Sequence, residues 1–325
     1  MRSVVTGGAG FIGSHLVEHL LAAGDEVHVL DNMSTGNPDN LDRVKGTPAL
    51  TIIDGSVLDR DLVDAAVSGA DRVFHLAAAV GVRLIVDEPL AGLRTNIHGT
   101  ENVLDACLAH GARLLLASTS EVYGKNTSDA LHEESDRVLG SALLSRWSYA
   151  AAKGIDEAFA HAYYTEFGLP VAIVRLFNTV GPRQTGRYGM VVPNLVGQAI
   201  IDAPLTVFGD GRQTRCFSFV RDVVPAMVLI SEHPDALGRA FNLGGATEIS
   251  IIDLARRIIE VLDSDSRIEL IPYDKAYPHG FEDMRRRVPD NTRARQLVGF
   301  EPRTGIDDII KHVAADLAWR YAMGA

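Results

Sequence analysis

The sequence has few cysteines and no excess of positive charge, and both deficits exclude classes of protein. Cys107 and Cys216 are its only cysteines, and they form no CxxC pair in a chain of 325 residues. This usage argues against a disulfide framework or a zinc site and is typical of a reducing cytosol, with both thiols packed inside the protein. With 31 Lys and Arg against 42 Asp and Glu, the net charge of −11 gives no general attraction for nucleic acid.

Patterns for membrane insertion, export and metal binding are also missing. No stretch reaches the roughly 18 apolar residues of a membrane span, and the apolar segment after Met1 runs directly into glycines, unlike a signal peptide. The 11 histidines have no metal-ligand spacing, and the chain contains no internal repeat or low-complexity tract. We therefore expect a soluble, cytoplasmic protein without a metal and without a nucleic-acid or membrane partner.

Short β-rich runs alternate with helical patterns in the first half of the chain. Continuous apolar strands separated by helices predict an α/β fold, a Rossmann-type doubly wound parallel sheet covered on both faces. After Gly181 the pattern becomes less regular and predicts a smaller α/β substrate-binding lobe. The predicted domains are residues 1–180 and 181–325, with a segment near 216–245 returning to the large sheet. The predicted strands are residues 3–6, 26–30, 50–53, 72–76, 113–117, 171–176 and 240–243.

A glycine-rich turn follows the first predicted strand and opens the first predicted helix. Gly7, Gly10 and Gly13 are spaced as G-x-x-G-x-x-G, which allows a tight turn and brings the free N–H groups of the helix close to a pyrophosphate. Asp31 ends the next strand, where an acid can accept hydrogen bonds from both hydroxyls of an adenosine ribose. Because that carboxylate would repel a 2′-phosphate, the sequence predicts NAD rather than NADP.

Tyr149 and Lys153 lie in a helical stretch after the fifth predicted strand. Their four-residue spacing places both side chains on one helix face. A nearby ammonium favours the phenolate, so we expect Lys153 to lower the pKa of Tyr149 toward the range in which it can act as a base.

Seven segments together give the chain a resemblance to the extended short-chain dehydrogenases, the NAD-dependent epimerase/dehydratase family, over nearly its whole length. They read TGGAGFIGSH, VFHLAAAVG, TNIHGTENV, STSEVYG, YAAAK, RLFNTVGPRQ and RCFSFVRDV. Ser56 departs from the aspartate that this family often places against adenine. The resemblance implies cofactor contacts for Gly7, Gly10, Phe11, Ile12, Gly13, Asp31, Asn32, Ser56, Val57, Leu76, Ala77, Ala78, Asn96, Ser118, Tyr149 and Lys153.

The same resemblance implies a reaction at C4 of a nucleotide-linked sugar. Tyr149 is the implied base, Lys153 binds the nicotinamide ribose and tunes the tyrosine, and Thr119 hydrogen-bonds the sugar hydroxyl. Family members that catalyse 4,6-dehydration have an Asp-Glu pair after this threonine, whereas this chain has Ser120 and Glu121. Dehydration is therefore not expected, and an epimerase using NAD as a resident cofactor is the implied activity.

The sequence leaves both the sugar and the reaction open between several hypotheses. Serine followed by glutamate, and the segment Arg146-Trp-Ser-Tyr149, resemble the UDP-glucuronate decarboxylases, but the segment 78–83 lacks the proline-containing stretch usual in those enzymes. A UDP-glucuronate 4-epimerase accommodates both observations and is the favoured hypothesis. The alternatives are a UDP-glucuronate decarboxylase, a UDP-glucose 4-epimerase and a catalytically inactive NAD-binding sensor.

The remaining expectations follow from the same resemblance, except that of Arg187, which rests on its position just beyond the Asn178 loop. Guanidinium groups suit diphosphate and carboxylate alike, and we assign Arg187 in particular to the carboxylate of a uronate. Helical stretches after Glu88 and around Tyr149 resemble the dimer helices of the family, so we expect a homodimer. The predicted contacts to the UDP-sugar are Ser120, Glu121, Asn178, Arg187, Thr206, Phe208, Arg215 and Arg287.

Overall fold

A seven-stranded parallel sheet forms the centre of the protein. The computed structural model describes residues 1–80, 89–186, 189–276 and 284–323. The strand order is β11-β6-β5-β4-β1-β2-β3, and neighbouring strands run parallel. This is the predicted doubly wound α/β fold. Its strands are β1 (Arg2–Thr6), β2 (Glu26–Asp31), β3 (Leu50–Asp54), β4 (Arg72–His75), β5 (Arg113–Thr119), β6 (Val171–Phe177) and β11 (Ala240–Gly244).

Helices cover both faces of this sheet. The adjacent residues Val4 and Val5 belong to separate apolar clusters, because successive side chains of a strand point to opposite faces. Helices α1 and α6 pack on one face, and α2, α3 and α4 pack on the other. These helices are α1 (Phe11–Ala22), α2 (Arg60–Val67), α3 (Pro89–His110), α4 (Ser148–Phe167) and α6 (Val220–Glu232).

The second half of the chain adds three small two-stranded sheets and further helices. The pairs are β7 with β10, β8 with β13, and β9 with β12; only the last of these is antiparallel. The strands are β7 (Thr179–Val180), β8 (Leu205–Phe208), β9 (Thr214–Cys216), β10 (Ser218–Phe219), β12 (Glu248–Ser250) and β13 (Ile268–Ile271). The helices are α5 (Val191–Ile200), α7 (Ile251–Leu262), α8 (Tyr273–Ala276), α9 (Thr292–Val298) and α10 (Ile306–Met323).

The two halves of the chain share one apolar core. Leu195 of α5 and Leu254 of α7 belong to the same cluster as Val5 and Phe241 of the central sheet. The predicted strand within 240–243 is present as β11 and pairs with β6 at the edge of that sheet. The predicted domain limits at residues 180 and 181 stay a prediction.

Both cysteines are buried and form no disulfide, as the sequence analysis predicted. Burial raises the pKa of the Cys107 thiol, and it raises the pKa of the Cys216 thiol to about 11. Within the described ranges, none of the helices has the length and apolar character needed to cross a membrane.

Candidate active site

Parallel strands bring their carboxyl ends to one edge of the sheet, and the predicted site residues follow several of these ends. Gly7 follows β1, Thr119 ends β5 and Asn178 follows β6. This edge is where open α/β sheets bind their ligands. A cavity of about 2120 Å³ lies there. The predicted site residues that line it are Phe11, Ile12, Ser118, Thr119, Ser120, Glu121, Tyr149, Asn178, Thr206, Phe208, Arg215 and Arg287.

The glycine turn at the start of α1 leaves no room for side chains. Gly7 has a φ of +73°, and a Cβ built on it would lie 2.8 Å from the backbone nitrogen of Ala77. A Cβ on Gly13 would lie 2.1 Å from the carbonyl oxygen of Gly7. Only glycine permits this close backbone approach, which keeps the first turn of α1 open to a ligand.

Asp31 connects the end of β2 to the glycine turn. Its carboxylate accepts hydrogen bonds from the backbone nitrogens of Ala9 and Met33, both at 2.9 Å. Burial raises the pKa of Asp31, and these amides act in the opposite direction. The carboxylate is therefore fixed in position beside the turn, where a ribose with two free hydroxyls would meet it.

Other predicted cofactor residues lie after neighbouring strands or in helix α3, are not among those that line the cavity, and make local contacts. Asn96 is buried and its side-chain oxygen accepts a hydrogen bond from the backbone nitrogen of Ala79 at 2.8 Å, next to Leu76, Ala77 and Ala78. The Asn32 side chain accepts a hydrogen bond from the Ser34 hydroxyl. Ser56 accepts one from the backbone nitrogen of Leu58, and the following Val57 is buried.

Tyr149 and Lys153 lie on α4, whose alanine-rich start favours a helix and whose end is capped by Gly168 in the left-handed conformation. The predicted lowering of the Tyr149 pKa is wrong for this structure. Burial raises that pKa first, and the carboxylates of Glu121 and Asp156 raise it further. The Lys153 ammonium lies 3.1 Å from Asp156, a carboxylate that the sequence argument did not consider.

Glu121 is surrounded by arginines. Arg146 donates to both of its carboxylate oxygens, from Nη1 at 2.7 Å and from Nη2 at 3.3 Å, and Nη1 of Arg287 lies 3.6 Å from Oε1. Burial alone would raise the pKa of Glu121, but Arg146, Arg287 and Arg215 together lower it. This acid is therefore ionised at neutral pH. Sequence analysis used Arg146 only for a resemblance and did not predict it as a site residue.

The predicted contacts to the sugar nucleotide come together in the same cavity. Arg287 donates to the Ser120 hydroxyl at 3.3 Å and to the Asn178 side chain at 3.2 Å. Thr206 and Phe208 lie on β8, and the Thr206 hydroxyl accepts a hydrogen bond from Gln198. Arg215 donates to the carbonyl oxygens of Thr214 and Met284. Arg187 lies outside the described residues, so its assignment to a carboxylate stays a prediction.

The chain is similar to known proteins along nearly its whole length. The model of the GDP-mannose 4,6 dehydratase family matches residues 4–313. The chain is 39% identical to a UDP-N-acetyl-alpha-D-glucosaminuronate decarboxylase of Bacillus cytotoxicus, over 95% of both proteins. It is 37% identical to UDP-glucuronic acid decarboxylase 1 of Arabidopsis thaliana, over 97% of this chain and 69% of that protein.

The chain belongs to the extended short-chain dehydrogenase family. A crystal structure of the UDP-glucuronic acid 4-epimerase from Bacillus cereus, in complex with UDP-glucuronic acid and NAD, superposes with a TM-score of 0.88 at 27% identity. That superposition covers 99% of this chain and all of the other. The protein is thus an enzyme of the UDP-sugar epimerase, dehydratase and decarboxylase group. The curated relatives support the decarboxylase alternative better than the favoured 4-epimerase.

The cofactor of this extended short-chain dehydrogenase is NAD, and its residues fit that molecule. The crowded glycines Gly7 and Gly13 leave space at the N-terminus of α1 for a pyrophosphate, and Asp31 presents a buried carboxylate beside it. Phe11 and Ile12 of the same turn line the cavity, as does Ser118 at the end of β5. These residues would hold the dinucleotide from the adenosine end to the nicotinamide end.

A network of buried hydrogen bonds begins at Ser118, which lines the cavity of the dehydrogenase site. Sequence analysis did not predict this network. The Ser118 hydroxyl donates to Glu157, which also accepts from Nε of Arg175 at 2.9 Å and from its Nη2 at 2.7 Å. Arg175 donates in turn to the Tyr123 hydroxyl, and Tyr123 donates to Asn242 of β11. The sequence signal was weak, because the partners are 18 to 119 residues apart.

Proposed function

We propose that this enzyme is an NAD-dependent UDP-hexuronate decarboxylase. Its substrate would be UDP-glucuronate or the N-acetylated UDP-glucosaminuronate, and its products a UDP-pentose and CO₂. The observation that carries the proposal is the Ser120-Glu121 pair after Thr119, with an ionised Glu121 held by Arg146 in the cavity that contains Tyr149. Two relatives that match nearly all of this chain are named as decarboxylases of these two substrates.

The reaction would begin at the sugar O4. Tyr149, in its phenolate form, accepts the proton of that hydroxyl as it is oxidised, and Lys153 is placed one helical turn away. The Thr119 oxygen already accepts a hydrogen bond from the backbone nitrogen of Glu121 at 3.2 Å, so its own proton can be donated to the sugar oxygen. NAD, when bound, would supply the acceptor and donor of the C4 hydride.

Oxidation at C4 makes the uronate a β-keto acid, which loses CO₂ readily. The bond from C5 to the carboxyl carbon breaks, its electron pair forms an enolate with the C4 carbonyl, and C5 then takes up a proton that comes from solvent water. Reduction of C4 and return of the Tyr149 proton complete the UDP-pentose. Tyr149 thus acts first as a base and then as an acid, which suits a group that returns to its starting protonation state in each cycle.

The Glu121 carboxylate is placed to assist the loss of CO₂. Glu121 is ionised but paired with Arg146 through two contacts, so we expect it to act by its fixed orientation beside the substrate carboxylate and not by repelling it. Arg215 and Arg287, both buried and lining the same cavity, supply the positive charge that an anionic sugar nucleotide needs to enter. The arginines therefore permit binding of the anionic substrate, and the oriented Glu121 carboxylate assists decarboxylation.

A 4-epimerase acting on UDP-glucuronate is the second candidate. The solved epimerase with UDP-glucuronic acid and NAD aligns along its whole chain with this protein. Both reactions pass through the same 4-keto uronate, and they differ in whether the carboxylate is kept. An inactive NAD sensor is disfavoured, because Thr119, Tyr149 and Lys153 are all present and both Thr119 and Tyr149 line the cavity.

Product analysis distinguishes these functions. The purified protein is incubated separately with UDP-glucuronate and with its N-acetylated analogue, and the nucleotide sugars are separated by anion exchange. Decarboxylation removes one negative charge and gives an earlier-eluting UDP-pentose, whereas epimerization preserves the charge. Accumulation of a 4-epimer without pentose would reject the decarboxylase, and the Tyr149→Phe variant is the control for contaminating activity.

A further inference from the structure

Arg146 and Glu121 join the two segments that carry the predicted catalytic side chains. Glu121 lies in the 3₁₀ turn Ser120–Tyr123, directly after Thr119 at the end of β5. Arg146 lies in the 3₁₀ turn Ser145–Trp147, which leads into α4 and is three residues before Tyr149. The guanidinium reaches both carboxylate oxygens of Glu121 across 25 residues of sequence. The pair therefore links the segment that bears Thr119 to the segment that bears Tyr149.

This pair is buried and geometrically restrained. The Arg146 side chain is 4% exposed and that of Glu121 is 15% exposed. The Cζ atom of Arg146 lies 5.4 Å from the ring centroid of Trp147, and Nζ of Lys125 lies 5.7 Å from the same ring. Trp147 is itself only 2% exposed. A cation beside a buried indole is stabilised by the aromatic ring, which limits the orientations that Arg146 can adopt.

We propose that Arg146 is a positioning residue for the reaction: its two-point contact keeps the Glu121 carboxylate in one orientation in the cavity beside Tyr149. The proposal rests on the proposed function, since it assigns Glu121 a role in decarboxylation. Arg287 cannot replace this contact, because it lies 3.6 Å from one oxygen of Glu121 and is also bonded to Ser120 and Asn178. Lysine at position 146 would keep the charge but lose the planar fork.

Because charged groups surround Glu121, removing Arg146 should change the pKa of Glu121 measurably. Arg146 of the turn before α4, Arg287 of the segment after residue 283 and Arg215 of β9 lower its pKa, and Tyr149 of α4 shares the cavity. A carboxylate with a lowered pKa is ionised until the pH falls through that value. Removing Arg146 therefore raises the pKa of Glu121, and activity that needs the ionised form is lost at a higher pH than in the wild type.

The kinetic test compares Arg146→Met and Arg146→Lys in wild-type and Glu121→Gln backgrounds. We expect Arg146→Met to lower kcat on UDP-glucuronate by about 10- to 150-fold, the range for losing a hydrogen bond to a charged group, with a smaller change in KM. Its acidic limb should move to higher pH, and Arg146→Lys should recover part of the rate. In the Glu121→Gln background, Arg146→Met should have little further effect.

Arg256→Met is the matched control, because it removes an exposed arginine that is paired with Asp253 outside the cavity. It should leave kcat and the pH profile unchanged. Equal effects of Arg146→Met in both backgrounds, or an unshifted acidic limb, would overturn the proposal. In that case, Arg146 would support the fold without acting through Glu121.

A titration independent of turnover separates this proposal from the proposed function. In protein labelled with ¹³C at glutamate carboxyl groups, the Glu121 resonance is identified by its loss in Glu121→Gln. We expect its titration midpoint to rise in Arg146→Met and to stay lower in Arg146→Lys. An unchanged midpoint would refute the positioning role even if the enzyme decarboxylates UDP-hexuronates. A raised midpoint in an enzyme that releases no CO₂ would instead refute the proposed function.

Discussion

The Lys153 ammonium lies 3.1 Å from the Asp156 carboxylate, which is three residues further along the same helix. Both side chains are buried, with exposures of 2% and 0%. The residue expected to promote ionisation of Tyr149 is thus paired with an acid that opposes it. The ionisation of the tyrosine therefore depends on a balance that also includes its burial and the Glu121 carboxylate.

This balance predicts the effect of Asp156→Asn on the pH profile. The pKa of Tyr149 is raised by burial, then by Glu121 and Asp156. Removing the Asp156 charge lowers that pKa, so a rate that requires the phenolate reaches its plateau at a lower pH. The measurement is kcat/KM for UDP-glucuronate against pH. Asp105→Asn, at a half-exposed acid bonded to Tyr163, is the control. An unchanged or upward-shifted profile would contradict the assigned balance.

Tyr149→Phe tests the assignment of the base. The substitution removes only the hydroxyl that exchanges a proton with the sugar, so we expect NAD binding and thermal stability to change little. Turnover should fall by about 100-fold or more, the lower end of general acid–base contributions. Calorimetric NAD binding and steady-state turnover are measured on the same preparation. Turnover close to that of the wild type would show that another group takes the O4 proton.

The sequence predicted the fold well because the central strands are buried on both faces and are therefore continuous apolar runs. The predicted strand 171–176 differs from Val171–Phe177 by one residue, and 72–76 ended one residue too late. The short strands β7, β8, β9, β10, β12 and β13 were not predicted. They contain two to four residues, which is too short for a periodic pattern to develop.

The candidate site was predicted less completely than the fold. The glycine turn and Asp31 were found because they occupy fixed places in a strand–turn–helix unit. The pairing of Arg146 with Glu121 was missed because it depends on how two turns 25 residues apart meet. Asp156, in contrast, could have been found. A carboxylate three residues after Lys153 shares its helix face, and considering it would have corrected the expected pKa of Tyr149.

Glu157→Gln tests the buried hydrogen-bond network that includes Ser118 and Arg175. The substitution leaves the Arg175 guanidinium, 10% exposed, without its ionised partner. We expect the free energy of unfolding to fall by about 3–5 kcal/mol, the usual cost of breaking a buried ion pair. Denaturant unfolding measures it, and Asp253→Asn, at an exposed ion pair, should have a much smaller effect. Equal effects would mean that the network contributes no more than a surface pair.

The predicted homodimer would bury apolar side chains on α3 and α4. Leu90 and Phe167 are each 59% exposed, and Ile155 of α4 is 42% exposed. If these two helices form a four-helix seam between protomers, Ile155→Asp should shift the protein from dimer to monomer. Light scattering at micromolar concentration measures this shift, with Leu229→Asp on α6 as the exposed control. A wild-type monomer would reject the predicted seam.

The fate of the substrate carboxyl carbon tests the central claim most directly. UDP-glucuronate labelled with ¹³C at C6 is incubated with the purified enzyme, and ¹³C NMR follows the label over time. The account predicts that the label appears as CO₂ and bicarbonate, with one equivalent of UDP-pentose formed for each label released. Retention of the label in a 4-epimeric UDP-hexuronate would contradict it.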